Sequence, residues 1–521
     1  MEIKSKREYK KTERVQDSFC ESSAEYVLPD YNTDVRKILF SKADVRPAGK
    51  FVSSDEVEFT GIVNYDVIYS DSDNNVSAAS FSSDYDFSVK CPMENYADCY
   101  ANVKLANSSL RLVGPRKFSA KSQLTLETKV VENGALSISG SALLGEESPQ
   151  VNTETVGVHT SFISESIERE YAEEIANLEN AIADEVRVIY TGAEAISTST
   201  EVMENGVTVN GTLRIVSVIQ NGDEPAYLIE KSVPIEETVP FSEVGVDMQI
   251  TPVFIVTSLK TSVNPTDSGV SVVVSSIVEL YVIGELNENV EIVTDAYMQS
   301  SESDAGYSTF TYTELMGGTK TTSPVSCDFA RSLLEGENVR ECHILASDAK
   351  IESISGEREG VRVEGEIKYS GIATEVNETG GVSYFPLKLS TRFNEYVNLG
   401  LQNADDLKFE VRAKSHSATA TLDSLGVYVN SALTLSASAY KEEGVKVLAS
   451  LDVNGDKPTA VSSSRVVVYY PSEDETLFSV AKKFHSTKEK IALDNSLTQM
   501  VGAIGGGDDV KLVGVKKLVI M

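Results

Sequence analysis

Any chemistry this chain performs has to come from few candidates. The four histidines, His159, His343, His416 and His485, are far apart, and each is alone in its local sequence. A metal centre would need convergence over long range, so each reads as a satisfied or exposed side chain. The five cysteines, Cys20, Cys91, Cys99, Cys327 and Cys342, are odd in number and lack a Cys-x-x-Cys pair. Reduced thiols are the expectation, with Cys91 and Cys99 able to pair only if the chain turns back between them. Asp452-Val453-Asn454-Gly455-Asp456 begins like a calcium loop, but Lys457-Pro458 interrupts it and no acidic residue follows at the required position. Gly502 to Gly507 lacks the Lys-Ser/Thr of a phosphate loop, and no Gly-x-Ser-x-Gly elbow occurs. Paired carboxylates are too frequent in so acidic a chain to mark a glycosidase. The expectation is therefore no enzyme, no cofactor and no metal.

The formal charge of −33 over 521 residues argues against a nucleic-acid-binding face. Charge is unevenly placed. Arg465–Met521 holds eight Lys/Arg and seven Asp/Glu, a balance of +1, which leaves about −34 on residues 1–464. The terminal stretch can therefore approach an acidic partner without strong repulsion. The N-terminus, MEIKSKREYKKTER, has no apolar run behind it and reads as neither a secretory signal nor a transit peptide. No run of about 18 apolar residues occurs, so no transmembrane helix is expected.

The elements that would position any site are mainly strands, and they repeat. Val57-x-Phe59-x-Gly61-x-Val63-x-Tyr65 is matched by Val207-x-Val209-x-Gly211-x-Leu213-x-Ile215 and Val361-x-Val363-x-Gly365-x-Ile367-x-Tyr369. The offsets are 150 and 154 residues. A second signature, beginning at Phe118, Val272 and Val427, keeps offsets of 154 and 155. A third lies upstream of the first, at Ile38–Ala43, Val188–Ala193 and Ile344–Ala349. Strict alternation puts one face of each strand in a core and the other in solvent, which favours antiparallel sandwiches. Gly61, Gly211 and Gly365 read as bulges or close backbone approaches. Short helices are expected from Pro29 and Asp30 to Ile38, through Ile167, Tyr171, Ile175, Leu178 and Ile182, and near Phe329, Leu333 and Leu334. Ser70–Asn75 is a polar hairpin loop.

At the C-terminal end, Val466–Tyr470 makes a short strand stopped by Pro471. A turn follows, then Leu477, Val480, Ala481 and Phe484 form one helical face, with Asp474 placed as its cap. Ser486 and Glu489 have capping-box spacing for a second helix that carries Ile491 and Leu493 inward. Lys511–Ile520 alternates as a closing strand. This order resembles the LysM family, carried by Tyr469, Thr476, Leu477, Ser479, Ala481, Phe484, Ser486 and Asn495. The resemblance implies a glycan-binding groove for N-acetylglucosamine polymers made by Asp474, Glu475, Thr476 and Leu477 facing Asn495, Ser496 and Leu497. The family's Gly-Asp turn is here Asp474-Glu475.

The repeats, in order and length, resemble the SPOCS domain of endospore-forming bacteria. Several such domains ending in a LysM domain are similar to sporulation morphogenetic proteins that tether spore coat assembly to the forespore surface. The expected fold class is mainly β with short helices: three tandem β-sandwich-like repeats followed by a small α+β (βααβ) LysM domain. The expected divisions are 1–157, 158–299 and 300–453 for the repeats, 454–464 for a linker and 465–521 for the LysM-like domain. The resemblance implies a non-enzymatic adaptor in the mother-cell cytoplasm, its end docking a coat or envelope morphogenetic protein. The alternative it implies is a peptidoglycan-binding protein.

Overall fold

In the computed structural model the described residues are 6–15, 17–53, 55–90, 95–144, 147–222, 224–377, 381–458, 466–472, 474–497 and 511–521, without the side chains of 455–458. The first third holds β1 (Lys6–Arg14), β2 (Ser18–Val27), β3 (Lys37–Val52), β4 (Glu56–Ser70), β5 (Val76–Lys90), β6 (Tyr96–Gly114) and β7 (Lys117–Ser137). The second holds β8 (Gln150–Ile163), β9 (Ile167–Glu179), β10 (Val186–Met203), β11 (Gly206–Asn221), β12 (Tyr227–Pro240), β13 (Gln249–Thr266) and β14 (Gly269–Tyr297). The third holds β15 (Ser301–Ala330), β16 (Val339–Glu357), β17 (Gly360–Val376), β18 (Val382–Asn398), β19 (Lys408–Leu422) and β20 (Gly426–Pro458). A short C-terminal group follows: β21 (Val467–Tyr469), α1 (Leu477–Lys483), α2 (Lys488–Asp494) and β22 (Leu518–Ile520).

One strand order is used three times. Three-stranded sheets β3-β4-β5, β10-β11-β12 and β16-β17-β18 each face a second sheet built on β7, β14 or β20. Both β1 and β2 pair with one edge of β7, and β8 and β9 do the same on β14. In the third copy the two are fused into β15, which runs the length of β20 with an irregularity between Leu315 and Gly317. The three glycines sit where expected. Opposite each, the neighbouring strand carries a bulge, at Pro47/Gly49, Ser197/Ser199 and Ile351/Ser353. A Cβ on Gly61, Gly211 or Gly365 would be driven into the carbonyl oxygen of Arg46, Ile196 or Lys350.

The expected fold class does not hold. Strand accounts for about 76% of the structure and helix for only 4%, and among the described residues the strands form seven small sheets rather than a tandem row followed by an α+β domain. The three units do not stand as separate sandwiches, because one apolar cluster draws on all of them. Leu39, Phe40 and Ile68 meet Tyr190, Val216 and Val218 there, and Leu345, Ile372 and Tyr384 complete it. Ile68, Val218 and Ile372 hold the same position on β4, β11 and β17, so the units close around a shared axis. Fully burying such an aliphatic side chain is worth about 2 kcal/mol, which the alternating pattern had assigned to solvent. Both faces are consequently buried at the ends of the central strands, as at Val67, Ile68, Tyr69 and Ser70 of β4.

The C-terminal group is not a LysM-like domain of its own. Its two strands are three residues long and its helices seven, and its apolar cluster is completed by Tyr297 of β14. The Tyr297 hydroxyl donates to the Ser486 carbonyl at 2.5 Å, and Lys482 Nζ lies 2.7 Å from both carboxylate oxygens of Asp295. The group's apolar cluster is thus continuous with the body through Tyr297, and its charge pairs reach β14 as well.

Three helix expectations are also corrected. Residues 29–38 contain a turn and the start of β3, and the Phe329 region is strand followed by a single 3-10 turn, Arg331–Leu333. Ile167–Glu179 is a strand whose register against β14 slips between Val272 and Val273, leaving Ile175 without an opposite partner. That bulge shifts parity between Ile175 and Leu178, which imitates helical spacing.

Candidate functional site

The C-terminal residues expected to form a groove are largely used to build the fold. Thr476, not Asp474, caps α1: its side chain accepts from the Ser479 amide, and the Ser479 side chain accepts from the Thr476 amide. Thr487, not Ser486, caps α2 by accepting from the Lys490 amide. Leu477 is buried at 1% exposure in the terminal cluster, and Leu497 packs against the same cluster. Glu475 accepts from the Tyr469 hydroxyl at 2.7 Å and from the Ser472 amide at 2.9 Å. The Tyr469 hydrogen bond, then the Ser472 amide, holds its carboxyl below the usual range. Asp474 and Ser496 are exposed, and Ser496 sits at a left-handed φ of 57° just after α2. Leu493, expected inward, is 69% exposed. Residues 498–510, including the glycine-rich stretch, lie outside the described residues, as does Cys91.

Asn495 has a structural task. Its Nδ2 donates to the Ile491 carbonyl at 2.8 Å and the Val519 carbonyl at 2.7 Å, and its Oδ1 accepts from the Val519 amide at 2.6 Å. Both donor hydrogens are spent, so the amide acts as a third strand beside β22. Val519 pairs with Val468 across the ribbon. The outer face of that ribbon is apolar and open, with Val466 65%, Val468 51% and Tyr470 71% exposed. Lys516 and Lys517, which lead into β22, are exposed, as is Lys511, whose backbone bridges to Thr476.

Sequence reasoning missed the axis. Beyond the apolar cluster, β3, β10 and β16 line a chamber of about 400 Å³ with Lys42, Asp44, Arg46, Glu194 and Asp348, joined by Arg214 and Lys414. Several of these groups are paired: Lys414 with Glu194 at 3.1 Å and Arg46 with Asp44 at 3.5 Å, while Arg214 reaches Glu230, outside the lining, at 2.7 Å. Burial alone would lower the Lys42 ammonium, but Asp44, Tyr190, Glu194 and Asp348 together raise it. Burial raises the Asp348 carboxyl against the opposing pull of Lys42.

Further along the axis lies a buried charged layer. Lys129 Nζ, on β7, lies 2.9 Å from Glu285 Oε1 on β14, 2.8 Å from Glu410 Oε2 on β19 and 2.9 Å from the Tyr440 hydroxyl on β20. His159 Nε2 is 3.3 Å from the same Glu285 oxygen, and the Tyr100 and Tyr440 hydroxyls donate to it at 3.4 and 3.3 Å. Burial would raise the Glu285 carboxyl, yet the hydrogen bond to His159 and the charge of Lys129 hold it well below the usual range. Burial likewise opposes the Lys129 charge, which Tyr100, Glu285, Tyr440 and Glu410 hold far above its ordinary value. The layer floors a groove of about 870 Å³ between β1 and β15. The layer joins side chains of all three units through one set of ion pairs and hydrogen bonds.

Among the described residues no group of three or more potential ligand side chains could hold a metal, and no helix is long and apolar enough to cross a membrane. No family model, no curated protein and no solved structure matches this chain.

Proposed function

We propose that this protein is a non-enzymatic structural adaptor in endospore envelope or coat assembly, with its C-terminal end docking a morphogenetic protein at the forespore surface. The observation that carries the reading is the contrast in surface: an acidic body locked around an axis ends in a small ribbon that exposes Val466, Val468 and Tyr470, with exposed Lys516 and Lys517 leading into its second strand. Open apolar side chains beside positive charge are the features of a docking patch for an acidic partner. The spore context rests on the resemblance of the repeats to SPOCS domains. The glycan alternative has no comparable support, since Thr476, Leu477 and Asn495 are engaged in capping, packing and strand pairing.

The test is a fluorescent fusion imaged through sporulation in an endospore-forming host, with and without residues 466–521. The full chain should ring the forespore and the shortened chain should not. Diffuse signal from the full chain, or a ring formed equally well without the C-terminal group, sinks the reading.

A further inference from the structure

The two edges of the C-terminal ribbon are not equivalent. Val468 and Val519 are direct antiparallel partners, and such partners share either both of their main-chain hydrogen bonds or neither. Val519 spends its amide and its carbonyl on Asn495. The pair is therefore the kind that shares neither, and Val468 must aim its own N–H and C=O away from β22. Val466 and Tyr470 have the same parity and aim the same way. No hydrogen bond reaches the main-chain groups of these three residues among the described residues. One edge of the ribbon is thus finished by a side-chain amide that imitates a strand, while the other is left as a template.

We infer that the β21 edge, Val466 to Tyr470, receives an extended acidic peptide segment of a partner protein as an added antiparallel or parallel strand. This rests on the docking reading above and names its chemistry. An open edge of alternating donors and acceptors, with side chains exposed at every second position, is what strand addition uses for affinity and for register. Charge selects the strand. Lys516 and Lys517 are exposed at the start of β22, and continuing the register puts Lys517 opposite Tyr470. Of the carboxylates that follow this strand, Glu475 is engaged by Tyr469 and Ser472, and Asp474 is exposed beyond the turn, past the lysines that sit at the strand's own level. Acidic side chains on the incoming strand meet lysines, whereas basic ones meet like charge.

The probe is a fluorescein-labelled heptapeptide of alternating Glu and Val, titrated by anisotropy against the full chain, with the Lys/Val analogue beside it. The Glu/Val peptide should bind saturably and about tenfold more tightly than the analogue, and the joint change Lys516→Glu with Lys517→Glu should reverse that order. Val468→Pro removes one outward donor and leaves the β22 pairing possible, because proline is tolerated where a strand N–H faces away from its ladder. It should weaken binding at least about tenfold, while Val468→Thr binds as the native chain does. Retained hydrogen-exchange protection of the Val519 amide shows that the ribbon has folded in each variant. Absence of saturable binding, or undiminished binding by Val468→Pro with Val519 protected, overturns the inference. Forespore localisation lost on deleting residues 466–521 but kept by Val468→Pro overturns strand addition alone, and localisation surviving the deletion overturns the docking reading itself.

Discussion

The axis of the body and the ribbon at its end use polar side chains in opposite ways. At the axis, Lys129, His159, Glu285 and Tyr440 come from all three units and are bonded to one another at the floor of a groove. At the ribbon, Asn495 takes up both main-chain groups of Val519 on one edge, and among the described residues the other edge receives no strand. The first arrangement fixes three units in one geometry; the second leaves an opening for a further strand. The difference teaches that the same hydrogen-bonding groups can join units to one another or finish a single strand edge.

The comparison breaks most violently at the glycines. Gly365→Val pushes side-chain atoms into the Lys350 carbonyl and Phe393, and should cost about 4 kcal/mol in urea denaturation of the full chain, with Gly211→Val similar. A loss below about 1 kcal/mol would mean that the bulges are dispensable.

Glu285→Ala should cost about 3 kcal/mol, because it leaves Lys129 and His159 buried with fewer partners. Its pH signature follows from direction. The Glu285 carboxyl is depressed in the folded state, so its contribution is fully present above the ordinary carboxylate pKa of about 4.3 and is lost as pH falls below that value toward the folded one. The native urea midpoint should therefore fall more steeply below about pH 4.5 than that of Glu285→Gln. Parallel curves would remove the layer from the account of stability.

At the ribbon, Asn495→Ala should lower local stability by about 2 kcal/mol, read as faster hydrogen exchange at Val519 with the amides of β4 and β11 unchanged. Faster exchange in the body as well would show that the two regions unfold together. The smallest effect is expected for Tyr297→Phe, about 1 kcal/mol, since it removes only the hydroxyl bond to the Ser486 carbonyl and keeps the ring in the terminal cluster.

Much of the body was legible residue by residue. Alternation around Gly61, Gly211 and Gly365 located three central strands, and the need for a close approach there was met by three bulges. The same alternation misled where a second face is buried. Lys129 and Glu285 occupy the outward slots of their strands, and a polar residue in such a slot reads as solvated whether it meets water or another unit. In the C-terminal group the helical face of Leu477, Val480 and Ala481 was readable, but Thr476 and Asn495 looked like ligand-binding positions because capping and strand-mimicking amides use the same side-chain chemistry as sugar recognition.

By itself the sequence determined the strands, their faces toward each unit's own core, the glycine-dependent bulges and the electrostatic split between body and end, because these depend on local sterics and on charge counts. Only the tertiary structure decided that the three units close on one another, that Lys129, Glu285 and His159 meet, and that the terminal group borrows Tyr297. Those contacts join residues more than a hundred positions apart, and neither periodicity nor propensity carries information over that separation.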